Sequence, residues 1–129
     1  MKKVNLVFGT VYGSAQFAAE TLEKEMQVLG YDVTLWQPND VASFIPPQDE
    51  LLVVVTSTTG QGDLPEDIQP WYHNLKNLAP YLPALNYSVI ALGDSSYETF
   101  CGAGRAVDVL LSELGAKPLV ELLEIDACE

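Results

Sequence analysis

Positive charge is scarce in this chain. Six Lys and Arg stand against 18 Asp and Glu in 129 residues, a formal net charge of −12. Binding to nucleic acid through a basic patch is therefore disfavoured, because phosphate contacts need clustered Lys and Arg. Histidine is scarcer still: His73 is alone, which excludes a His-rich metal site. The two cysteines, Cys101 and Cys128, lie far apart and fit no metal-ligand spacing. A disulfide between them is disfavoured in a reducing cytoplasm. Long hydrophobic runs are also missing. The apolar run behind Met1-Lys2-Lys3 spans only about six residues, far short of the ~20 of a membrane-crossing helix and shorter than a signal-peptide core. The composition predicts a cytoplasmic protein with no membrane span and no targeting segment.

What is present suits one domain over residues 1–129. Hydrophobic residues make up 48%, enough for a core without staples. A domain of this size buries roughly two-thirds of the surface its unfolded chain exposes. The acidity has two readings: solubility alone, or steering towards partners with basic surfaces.

Strand-like and helix-like runs alternate. Val4-Asn5-Leu6-Val7-Phe8 is a short apolar run. Ala15, Ala18, Ala19, Leu22, Met26 and Leu29 then recur at helical spacing, and Gly30 stands where a helix C-cap belongs. Tyr31 to Gln37 alternates as an edge strand does. Leu51-Leu52-Val53-Val54-Val55 and Ser88-Val89-Ile90-Ala91-Leu92 read as strands buried on both faces. Ile68, Trp71, Tyr72, Leu75 and Leu78 form a second helical stripe, whose start is expected at Pro65-Glu66-Asp67. Ala103, Ala106, Val107, Leu110, Leu111 and Leu114 form a third, closed by Gly115, and Pro118 to Ile125 reads as a last strand. This alternation predicts an α/β fold with an open, doubly wound parallel sheet. Such sheets bind ligands outside the carboxyl ends of their strands, where the strand order reverses.

Three loops leave carboxyl strand ends, at 9–15, 56–64 and 93–101, and all are rich in Gly, Ser, Thr and Asp. The first, Gly9-Thr10-Val11-Tyr12-Gly13-Ser14-Ala15, offers hydroxyls and a helix start but no Lys or Arg. Neutral donors at a helix start suit one phosphate monoester. The triphosphate-loop and dinucleotide fingerprints are missing. An ordinary strand-to-helix turn reads equally well. The second, Thr56 to Pro65, carries Gly60 and Gly62, which accept backbone conformations other residues resist. The third, Gly93-Asp94-Ser95-Ser96-Tyr97-Glu98-Thr99-Phe100-Cys101, sets an aromatic beside small polar residues, an arrangement able to stack on a flat ring. Trp71 and Phe100 read as core, His73 and Arg105 as surface, and Cys101 has no neighbouring base that would make it a nucleophile.

Ser57-Thr58-Thr59-Gly60-Gln61-Gly62-Asp63-Leu64-Pro65 and Ala91-Leu92-Gly93-Asp94-Ser95-Ser96-Tyr97 closely resemble the short-chain flavodoxins, and among them the small flavodoxin-like proteins of the MioC and YqcA type. The resemblance runs over nearly the whole chain. It implies a five-stranded sheet in the order 2-1-3-4-5 and one non-covalently bound FMN. Thr10, Val11, Tyr12, Gly13, Ser14 and Ala15 match the family's phosphate loop. Thr58, Thr59, Gly60 and Gln61 match the loop on one side of the flavin, and Leu92, Gly93, Asp94 and Tyr97 the loop on the other, with Tyr97 in the stacking place. Ser14 stands where the family often has Asn, Ala15 where it has Thr or Ser, and Thr59 where many members carry an aromatic.

The function implied is single-electron transfer between redox proteins, with partners such as a flavodoxin reductase docking through basic surfaces. An FMN-dependent reductase of quinone-type small molecules and a flavin-free binding module are the alternatives. The family's final helix has no counterpart after Asp126, where only Ala127-Cys128-Glu129 follow. The expectation is an uncovered apolar sheet face, covered either by further chain or by a second copy in a dimer.

Overall fold

Apolar residues at every position of a strand demand cover on both faces of a sheet, and β-branched ones favour the extended backbone. The computed structural model describes residues 2–10, 13–57, 64–93, 102–119 and 123–126. In chain order these form β1 (Lys3–Gly9), α1 (Ser14–Val28), β2 (Asp32–Trp36), α2 (Pro38–Val41), β3 (Leu51–Thr56), α3 (Gln69–Leu78), β4 (Asn86–Gly93), α4 (Gly102–Glu113), β5 (Lys117–Pro118) and β6 (Leu123–Asp126). All described pairings are parallel, in the order β2-β1-β3-β4-β5, with β6 also on β4. The predicted doubly wound sheet with order 2-1-3-4-5 is therefore present.

The period of two along each strand divides the core. Val4, Leu6 and Phe8 of β1 join Leu51, Val53 and Val55 of β3 on the face that α1 covers through Ala15 and Ala19. Val7, Leu52 and Val54 point the other way, into a larger cluster with Trp71 and Leu75 of α3 and Val107, Leu110 and Leu111 of α4. Trp71 is thus core, as its stripe predicts. The first four strands and the first and last helices fall close to their predicted bounds.

Three details differ. The expected helix start at Pro65-Glu66-Asp67 is a turn closed by Ile68 N–H donating to Pro65 O at 3.1 Å. The helix begins at Gln69 with Pro70 in its first turn, where a residue without N–H leaves no helical bond unmade. The short α2, led by Pro38, falls in a stretch whose sequence shows no periodic signal. The last strand is split in two. Asn86 pairs with Lys117 and Ile90 with Leu123, so four steps along β4 meet six along its neighbour. Pro118 supplies no N–H to the ladder.

On the α1 side the β3 residues Leu51, Val53 and Val55 are buried. Two apolar grooves of about 310 and 260 Å³ run beside α1 over β3 and β4. Phe17, Leu22, Met26, Val53, Val55 and Ile90 line them.

Candidate functional site

Register brings the loops together. Gly9 pairs with Thr56, and Thr56 pairs with Ala91, so β1, β3 and β4 end side by side. The three polar loops leave from this one edge, the place where a doubly wound sheet takes its ligand.

The first loop closes on itself before α1 begins. Thr10 Oγ1 accepts the N–H of Gly13 at 2.7 Å. Gly13 is the N-cap of α1 at φ 98°, a left-handed conformation that a side chain would resist, and it makes no side-chain cap. The helical ladder starts with Phe17 N–H donating to Gly13 O at 3.0 Å. Amides ahead of that bond lie at the positive end of a helix, which favours an anion. Among the described loop residues there is no Lys or Arg, so the favourable field is that of peptide dipoles.

Two residues to which the sequence pattern gives no role belong to this edge. Ser57 is fully buried, and its N–H donates to Gly9 O at 2.9 Å. Its Oγ has no hydrogen-bond partner among the described residues. An orphaned buried hydroxyl is unfavourable by about 1–3 kcal/mol, so it marks a place where a partner is expected. The available signal was a serine directly after Thr56, where the apolar run of β3 ends. Asp67 is the second. Each of its carboxylate oxygens lies 3.2 Å from Thr10 N, which donates to them. Burial pushes the Asp67 carboxyl above the ordinary carboxylate range, although the amides of Thr10, Asp67 and Ile68 pull it down.

Of the predicted site residues, Thr10, Gly13, Ser14, Ala15, Leu92 and Gly93 lie at this edge. Ala15 is fully buried in the α1-side core beside Phe8 and Leu92. Its methyl fills space there, and what it can turn to a ligand is backbone. The same holds for Leu92, which is 4% exposed. Val11, Tyr12, Thr58, Thr59, Gly60, Gln61, Asp94 and Tyr97 lie outside the described residues.

A helix start without cations, an orphaned hydroxyl at the neighbouring strand end and a third loop from β4 fit a ligand carrying one phosphate monoester. FMN is such a ligand. The flavodoxin family model matches residues 6–129. "Flavodoxin YqcA" of Pectobacterium carotovorum subsp. carotovorum is 44% identical over 129 residues, covering all of this chain and 85% of that protein. The sulfite reductase [NADPH] flavoprotein alpha-component of Vibrio vulnificus (strain CMCP6) is 37% identical over 125 residues, covering 96% of this chain and 20% of that one. A solved C101A mutant of flavodoxin from Pseudomonas aeruginosa superposes with a TM-score of 0.86 at 37% identity, covering 98% of this chain and 85% of that one. The chain belongs to the flavodoxin family, and it is a flavodoxin-like electron carrier that binds FMN.

Proposed function

We propose that the FMN phosphate sits at the start of α1, held by the segment Thr10, Val11, Tyr12, Gly13, Ser14 and Ala15, with the Ser57 hydroxyl donating to it. The observation that carries this is Ser57 Oγ, buried and without a partner among the described residues, at the strand end tied to Gly9. The resemblance supports the rest of the assignment. Thr58, Thr59, Gly60 and Gln61 flank one side of the flavin, Leu92, Gly93 and Asp94 the other, and Tyr97 stacks on the ring.

Bound FMN supplies one-electron redox chemistry, and the protein binds, orients and tunes it. This chain's residues act by fixing the phosphate, excluding water from the ring and setting the charge around it. No side chain is assigned a covalent or proton-transfer step.

The partners in this proposal are redox proteins with basic docking surfaces, met in the cytoplasm. The net charge of −12 supports steering of that sign, and the paucity of cysteine suits a reducing compartment. Likeness to one segment of a larger flavoprotein supports electron transfer between flavin-bearing modules. No helix among the described residues is long and apolar enough to cross a membrane.

The test is NADPH oxidation by the FMN-loaded protein with and without an added flavodoxin reductase. A carrier is reduced only when the reductase is present, and the rate falls as salt screens the docking charges. NADPH oxidation by the protein alone, passed on to a quinone, would overturn the carrier reading in favour of the reductase.

A further inference from the structure

Asp67 is an odd neighbour for an anion site. Its charge opposes a phosphate nearby, and its burial is itself unfavourable to the charged form. Yet the packing delivers it there. Ile68 is fully buried against Gly9, so close that a Cβ on Gly9 would stand 2.6 Å from Ile68 Cγ2. That contact brings the residue before Ile68 to the residue after Gly9. Thr10 N–H then donates to both Asp67 oxygens at 3.2 Å, and Thr10 Oγ1 accepts Gly13 N–H at 2.7 Å. A relay of Asp67, Thr10 and Gly13 thus runs from the approach to α3 to the N-cap of α1.

Two consequences follow from that relay. The Thr10 and Gly13 amides are both engaged inside the protein, so neither is turned to the ligand. The Thr10 peptide is also held from outside its own loop, by an acceptor that belongs to the next crossover. An unheld peptide there would rotate, and the Gly13 N–H would lose its partner's position.

Resting on the phosphate-pocket reading above, we propose that Asp67 is a positioning residue for FMN selectivity: by accepting Thr10 N–H it fixes the phosphate loop in the shape that tells FMN from riboflavin. What position 67 must supply is an acceptor oxygen, and its charge is dispensable. The effect concerns the phosphate end of the ligand and leaves the ring site alone.

The experiment titrates apoprotein with FMN and with riboflavin, for wild type, Asp67→Ala and Asp67→Asn. Asp67→Ala is expected to weaken FMN binding about tenfold or more, the equivalent of one charge-assisted hydrogen bond, with riboflavin affinity unchanged. Asp67→Asn keeps the acceptor and is expected to bind FMN at least as tightly as wild type. An FMN-to-riboflavin ratio that is the same in Asp67→Ala as in wild type overturns the inference alone. So does an Asp67→Asn variant that loses FMN as Asp67→Ala does. Wild type without preference for FMN sinks the phosphate-pocket reading and this inference with it. If Asp67→Ala does not fold, hydrogen exchange of the Thr10 amide decides. Protection in both wild-type and Asp67→Asn apoprotein supports the relay, and an unprotected Thr10 amide in wild type overturns it.

Discussion

Gly9 and Ile68 touch with no room for one more carbon between them: a Cβ on Gly9 would lie 2.6 Å from Ile68 Cγ2 and 2.8 Å from Ile68 Cβ. Ile68 is fully buried and cannot swing away. The contact sets the distance between the end of β1 and the approach to α3, and with it the width of the site edge. Gly9→Ala is expected to destabilise the apoprotein by about 1–3 kcal/mol through overpacking. Urea unfolding reads this as a lower midpoint at unchanged slope. A midpoint equal to wild type would show that the two elements separate freely.

Ser57 gives the opposite signature. Its hydroxyl is buried without a described partner, so removing it relieves an unsatisfied group in the apoprotein. Ser57→Ala is expected to leave apoprotein stability unchanged or raise it by up to about 1 kcal/mol. FMN affinity is expected to fall by about 1.5–3 kcal/mol, the range for a hydrogen bond to a charged group. Thermal unfolding with and without FMN separates the two effects. A variant that loses apoprotein stability yet binds FMN as before would make Ser57 a structural residue.

How far these features were legible in the sequence depends on which physics set them. The buried strands announce themselves through runs such as Leu51 to Val55, because cover on both faces leaves no place for polar residues. Helical stripes are equally plain in α1 and α4. The site edge is legible in outline, since polar loops at strand ends follow from topology. Asp67 is not legible: as Pro65-Glu66-Asp67 it has the composition of a helix start, and only the Gly9–Ile68 packing shows that it faces Thr10. Ala15 is legible only in part, because burial leaves its backbone alone to face a ligand. Its place in the phosphate loop invites a ligand role, while its methyl is fully buried in the core. The split of the last strand depends on pairing partners, which local periodicity does not contain.

Tyr87 ties the sheet to α4. Its hydroxyl donates to Asp108 Oδ1 at 2.7 Å. Burial first, and then the Asp108 carboxylate, raise the tyrosine well above its ordinary range. A raised folded value means that the protonated phenol is the stabilising form. Its contribution is complete below the ordinary value of about 10 and is lost as pH climbs through the folded one. Stability is therefore expected to fall in alkali, and Tyr87→Phe to flatten that fall after removing about 1–2 kcal/mol at neutral pH. Urea midpoints across the alkaline range check it. Equal pH slopes in wild type and variant would contradict the assignment.

In the proposed function, this edge of the sheet holds one FMN by its phosphate. Titration of apoprotein with FMN and with riboflavin, followed by flavin fluorescence, tests it most directly. The expected result is one FMN per chain, quenched emission and an affinity for FMN that exceeds riboflavin's by orders of magnitude, as the loss of several hydrogen bonds of about 1.5–3 kcal/mol each requires. Equal affinity for the two ligands, or no saturable FMN binding, would contradict it.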